Sequence, residues 1–211
     1  MLLFLRSKSS SNFENVSYIF LPVTSETSSL DDSLAKAFTE KAPDSDEIAS
    51  TSTFSNIPTF LPFVFMRFMW KANEKVQAKI LKVTKLIFGL FLFFKLISYP
   101  KTFDIFSFAS ESLKSEIQTK RANNPNYGIY NLNFLITHTG RESDSGHYMA
   151  WSKVTKKSKS DEWFKFDDDK VSVVKEEEIM KLGGGGDRPT AYMIFYTQAW
   201  GENDSTEVKK E

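Results

Sequence analysis

Apolar and polar residues alternate most cleanly in the second half of the chain. There the alternation predicts strands at 130–138, 147–153, 162–167 and 191–197. Within 147–153, Met149, Trp151 and Lys153 fall on the same face as His147. A polar Gly/Ser loop at 139–146 and a charged turn at 156–161 separate these strands, and a short strand is expected at 171–174. Residues 175–182 read as a helix closed by Gly183, Gly184, Gly185 and Gly186. Upstream, 16–23 suits a strand, and Leu30, Leu34, Ala37 and Phe38 recur at helical spacing behind Ser and Asp residues able to cap. Ser, Thr, Asp and Pro assign 42–55 to a loop. Residues 57–70 are dense in Phe and Met, and Pro58 and Pro62 confine that strand to an edge or to strand starts. A partly two-faced strand follows at 76–84, then a helix at 110–119 and a turn-rich linker at 120–126. The pattern is α+β: an antiparallel sheet with few helices.

Composition narrows this. A chain of 211 residues makes one domain, two at most, and 41% hydrophobic residues with 20 Phe can fill a core. Basic and acidic residues balance at 27 each, which leaves no global field for nucleic acid or an anionic membrane. The absence of Cys excludes disulfides and thiolate zinc sites. With two His and no carboxylate-rich spacing, neither a metal nor a cofactor is expected. The longest apolar run, 86–94, ends at Lys95, short of the roughly 20 residues of a membrane-spanning helix. The N-terminal apolar run is too short for a secretion signal. A cytoplasmic location is expected, with the nucleus also open.

The chemistry-bearing candidates are His147 and Asp167. If 147–153 and 162–167 form a hairpin in which these two face each other, the turn centres on residue 157, inside Lys156-Lys157-Ser158-Lys159. Their Cβ atoms would then lie about 4.5–5.5 Å apart. A strand His is also commonly structural, and Asp167-Asp168-Asp169-Lys170 is also a good solvated turn, so spacing alone leaves both readings open. His138 has no acid in register and reads as structural. The glycine run lacks the Lys-Ser/Thr of a phosphate loop and reads as a helix end and turn.

The motifs go further. Tyr130-x-Leu132-x5-His138-x-Gly140-x5-Gly146-His147-Tyr148 resembles the histidine signature of the ubiquitin-specific proteases, cysteine peptidases that cleave ubiquitin conjugates. Trp163-x-Lys165-Phe166-Asp167-Asp168-x-x-Val171 is similar to the family's acid box, and Ala191 to Tyr196 to its closing strand. Ile57-Pro58-x-x-Leu61 with Met66-Arg67-Phe68 resembles the preceding core strand. The acid box and the glycine turn look closest to the proteasome-associated branch, whose members carry a ubiquitin-like N-terminal domain. The resemblance implies the palm of a papain-like fold, a thiol hydrolase acting at the ubiquitin C-terminal Gly, and ubiquitin and its conjugates as partners. It implies His147 as general base, Asp167 as its orienting acid and Asp168 as support. Gly140, Arg141, Ser143, Ser145, Gly146 and Tyr148 would border the groove for the ubiquitin tail.

Three departures stand out. The family's cysteine box and most of its thumb are absent, so the chain is expected to be a C-terminal piece beginning past the nucleophile and inactive alone. A ubiquitin-binding module without chemistry, or a truncated gene product, is the alternative. Phe134 stands where the family has a small residue. Residues 86–98, between Lys79-Ile80-Leu81-Lys82 and Tyr99-Pro100, read as an insertion, with a buried strand or helix as the alternative. The expected organisation is a poorly matched segment at 1–53, the protease part at 54–200 and a charged tail at 201–211.

Overall fold

The computed structural model describes residues 3–7, 13–24, 26–42, 47–71, 76–79, 84–86, 89–91, 96–140, 143, 145–155, 161–184 and 188–199. Arg141, the 201–211 tail and much of the 86–98 stretch therefore lie outside the described residues. The first strands are β1 (Leu3–Ser7), β2 (Phe13–Val16) and β3 (Ile19–Pro22), followed by α1 (Leu30–Ala37), β4 (Thr39–Lys41) and β5 (Ile48–Phe54). Next come β6 (Phe60–Met66), β7 (Phe68–Lys71), β8 (Val76–Lys79), β9 (Thr84–Leu86), β10 (Gly89–Phe91) and β11 (Thr102–Asp104). A 3-10 turn (Ile105–Phe108) leads into α2 (Glu111–Arg121). The chain closes through β12 (Ile129–Thr139), β13 (His147–Thr155), β14 (Asp161–Asp167), β15 (Lys170–Val174), α3 (Glu176–Met180) and β16 (Thr190–Gln198).

Eight strands form the main sheet, in the order β15-β14-β13-β12-β16-β6-β3, with β11 paired to β12 off that path. One face is the core. Leu21, Phe63, Phe65, Leu135, Ile194 and Tyr196 are fully or almost fully buried on it. α1 and α2 contribute Leu30, Leu34, Leu113 and Ile117 to the same cluster. Both α1 and α2 start at a side-chain cap. The Asp32 N–H donates to Ser29 Oγ at 3.1 Å, the Ser29 N–H donates back to Asp32 Oδ2 at 3.0 Å, and the Leu113 N–H donates to Ser110 Oγ at 3.3 Å.

The opposite face is apolar as well. A single rung of cross-strand partners runs Val171, Phe166, Ala150, Ile136, Met193, Val64, Phe20 across seven strands. Its two ends, Val171 at 59% and Phe20 at 53%, are exposed. A sheet face of that character is one that another body normally covers.

Several expectations are corrected. The sheet is mixed, because β3 runs parallel to β6. Residues 42–55 are not all loop: β5 pairs with β1 and β4 and buries Phe54 completely. Its Thr51 and Thr53 are β-branched and suit a strand, which outweighs the turn-like Ser content. The strand expected at 57–70 is two, divided at Arg67. That side chain turns inward and donates from Nε to the Ala191 carbonyl at 2.6 Å and from Nη2 to the Gly183 carbonyl at 3.1 Å. Burial lowers the Arg67 pKa to about 10, still cationic near neutrality. Of the strand expected at 76–84, residues 76–79 form β8, which pairs with β7 in a separate hairpin rather than joining the main sheet, 80–83 lie outside the described residues, and Thr84 opens β9.

Part of 86–98 is tied to the core. Ile97 is fully buried and donates its N–H to the Gly183 carbonyl at 2.9 Å. Ser98 donates to the Ser28 carbonyl at 2.9 Å, and Leu30 donates to the Ser98 carbonyl at 2.8 Å.

Candidate active site

His147 opens β13 and Asp167 closes β14, so both sit at the same end of the hairpin. The ladder pairs Thr155 with Asp161 and Ala150 with Phe166, which centres the turn on 158 instead of 157. His147 and Asp167 are therefore diagonal neighbours on one face, not directly opposed. They still meet: His147 Nε2 lies 2.6 Å from Asp167 Oδ1. Met149 and Trp151, on the same face, are 6% and 5% exposed and root the strand in the core, while His147 emerges at the rim with its side chain 44% exposed.

The second oxygen of Asp167 is held too. Lys165 Nζ lies 2.7 Å from Asp167 Oδ2 and 5.8 Å from the centre of the Trp151 ring. The Lys165 ammonium, and after it the His147 ring, hold the Asp167 carboxyl below the usual carboxylate range. Asp167 is thus a carboxylate near neutrality and can only accept, which puts the proton on His147 Nε2 and leaves Nδ1 as the basic nitrogen. Lys165 is a site residue outside the sequence-derived candidates. Its spacing of two from Asp167 on a strand was the signal that places both on one face.

Asp168 occupies the two-residue turn between β14 and β15, with φ at 53°. Asp tolerates that left-handed conformation, and the turn fixes where the Asp167 strand ends. Ligand atoms of His147, Asp167 and Asp168 lie within 4.8 Å of one another. The Lys165 ammonium already occupies Asp167, so the group reads as an ion-paired couple and not as a cation site.

The remaining sequence candidates flank this couple. A Cβ added to Gly146 would fall 1.7 Å from His138 Nε2 and 2.5 Å from the Thr139 carbonyl oxygen, so only glycine fits. Gly140, at φ 116°, would press a Cβ to within 3.1 Å of Gly146 Cα. Ser143 donates its N–H to the Gln77 carbonyl at 3.1 Å, and Tyr148 stands exposed with its hydroxyl 3.5 Å from the Ser143 carbonyl. Ser145 is exposed at the end of the loop.

Over residues 4–196 the sequence matches the ubiquitin carboxyl-terminal hydrolase family. The chain belongs to that family. The match begins at residue 4 and so takes in β1 to β5, which none of the sequence motifs reached. Ubiquitin carboxyl-terminal hydrolase 6 of Arabidopsis thaliana is 30% identical over 198 residues, covering 69% of this chain and 38% of that protein. Ubiquitin carboxyl-terminal hydrolase 14 of Caenorhabditis elegans is 29% identical, covering 67% and 34%. The chain thus spans little more than a third of the length of these relatives. The SAGA Ubp8/Sgf11/Sus1/Sgf73 DUB module shares the fold, with a TM-score of 0.64 at 20% identity, covering 94% of this chain and 37% of that one. The same module bound to ubiquitin aldehyde superposes with a TM-score of 0.61 at 19% identity, covering 94% and 40%.

Proposed function

We propose that this chain supplies the base-and-acid half of a thiol-dependent deubiquitinase, acting on isopeptide and amide bonds at the ubiquitin C-terminal Gly. The observation that carries the reading is the His147–Asp167 contact at 2.6 Å, on a carboxylate kept ionised by Lys165. The nucleophile is a cysteine outside these 211 residues, which contain none. His147 Nδ1 takes the proton from that thiol, and the thiolate adds to the Gly carbonyl carbon. The C–N bond then breaks and the leaving amine takes the proton back from His147. Water, deprotonated by the same nitrogen, releases ubiquitin from the thioester and restores the thiol. Asp167 holds the imidazole in the tautomer each step requires.

The loop of Gly140, Arg141, Ser143, Ser145 and Gly146, with Tyr148, is the proposed border of the groove for the ubiquitin tail. Its small residues suit an extended chain ending in two glycines. The nucleophile-bearing half is proposed to meet the sheet at the rim where His147 emerges. The acid-box and glycine-turn resemblance supports a proteasome-associated setting in cytoplasm or nucleus. A second reading, ubiquitin binding without chemistry, is favoured by the absence of any Cys in the chain.

Mixing the chain with the cysteine-bearing N-terminal half of a relative, and assaying a ubiquitin C-terminal reporter, separates the two. Turnover that needs both halves supports the hydrolase reading. Ubiquitin binding with no turnover supports the second.

A further inference from the structure

His138 is 1% exposed, and neither of its ring nitrogens has a hydrogen-bond partner among the described residues. The hydroxyl of its neighbour Thr139 is likewise buried without one. Around the imidazole are the rings of Phe68, 5.0 Å away, and Tyr148, 4.7 Å away, with Tyr192 6.0 Å beyond both. An unpartnered buried imidazole is costly, so its shape has to serve a purpose. That purpose is visible at Gly146, whose backbone lies so close to Nε2 that no side chain fits between them. The next residue in the chain is His147.

We infer that His138 is the positioning residue for His147: its neutral imidazole is the seat on which the Gly146 backbone rests, and that seat aims the His147 ring at Asp167. The inference rests on His147 being the base, yet it can be tested without turnover. Among the described residues, the titratable groups against His138 are Lys79 of β8 and Tyr148 of β13, with Tyr192 of β16 beyond Tyr148, and no carboxylate is among them. Lys79 donates to the His138 carbonyl at 3.0 Å. Burial first, and the Lys79 charge second, hold the His138 pKa below its ordinary value. A protonated ring would present two donors that find no acceptor in place among the described residues, beside an ammonium, so protonation has to displace the ring and unseat Gly146.

The sign of the consequence is distinctive. Acid ordinarily tightens a His–Asp pair by charging the imidazole. Here, acid sufficient to protonate His138 loosens it. With only two His in the chain, ¹⁵N-imidazole NMR resolves both. The readout is exchange protection of the His147 Nε2 proton from about pH 8 to about pH 5. In the full wild-type chain, protection is expected to fall about tenfold in step with His138 protonation. In His138→Phe, a ring of similar shape that cannot be charged, protection is expected to persist across the range. The Trp151 indole proton, bonded to Thr137 Oγ1 at 2.9 Å, reports that the sheet is intact. Wild-type protection that holds or rises once His138 is charged overturns the inference. So does loss of protection in a folded His138→Phe. No protection in wild type at any pH fails the His147–Asp167 couple itself, and with it the hydrolase reading, which is a distinguishable result.

Discussion

Lys165 and His147 share the carboxylate of Asp167, one on each oxygen, at 2.7 and 2.6 Å. The cation stabilises the ionised acid that fixes the imidazole tautomer. Replacing Lys165 by Met keeps an unbranched side chain opposite Trp151 and removes the charge, so the Asp167 titration midpoint is expected to rise toward the ordinary value of about 3.9. A folded-state pKa below the unfolded one lends stability that is complete above the unfolded value and is lost as pH falls through the folded one. The Asp167 share of acid sensitivity therefore lies below the ordinary carboxylate range, and it shrinks in the variant. Carboxyl ¹³C titration of Asp167 checks this. An unmoved midpoint in Lys165→Met would show that the contact does not act on the acid.

Asp168 holds a left-handed backbone at φ 53° in the β14–β15 turn. Asp168→Gly and Asp168→Asn are expected to leave stability nearly unchanged. Asp168→Val is expected to cost about 1–2 kcal/mol, since a β-branched residue resists that conformation. Urea midpoints of the three variants measure the difference. If Val is tolerated as well as Gly, the position matters through its carboxylate and not its backbone.

The meeting of His147 and Asp167 was legible because parity survives a register error. The turn centre moved from 157 to 158, which slides the partner by two residues and leaves both side chains on one face. Lys165 was legible by the same period, two residues from Asp167 on one face of β14. The seat of His138 was not legible. Phe68 and Lys79 reach it from the β7–β8 hairpin, a two-stranded unit outside the main sheet, and no local periodicity encodes that crossing. The parallel β3–β6 pair was hidden for a similar reason, since a strand of four residues carries no signal for direction.

Residues 86–98 can be tested at their C-terminal end. Ile97 is fully buried, while its neighbour Leu96 is 47% exposed. Ile97→Ala is expected to cost about 2–5 kcal/mol, as for other fully buried aliphatic side chains. Leu96→Ala should stay within about 0.5 kcal/mol. A deletion running through Ser98 removes Ile97 together with its bond to Gly183 and the Ser98 bonds to Ser28 and Leu30, so it is expected to lower the melting temperature. Equal stability of Ile97→Ala and wild type would mean that the end of this segment is dispensable and the whole stretch can be excised.

The last prediction ranks the site residues by function. By itself the chain is expected to leave a ubiquitin C-terminal reporter intact. It offers no thiol, and general-base help to water is worth only about 10²–10⁴-fold. In a system completed by a cysteine-bearing half, His147→Ala removes the imidazole in contact with the acid and is expected to abolish turnover. Asp167→Asn keeps the shape but can donate to Nε2, which favours the wrong tautomer, so kcat is expected to fall by roughly 10²–10⁴ with KM nearly unchanged. Lys165→Met, which leaves the couple in place, is expected to fall far less. Asp168→Gly is expected to retain most activity, because the turn it supports is preserved. Steady-state kinetics on the four variants checks the order. An Asp167→Asn enzyme as fast as wild type would remove Asp167 from the mechanism and leave the contact with His147 as packing at the sheet rim.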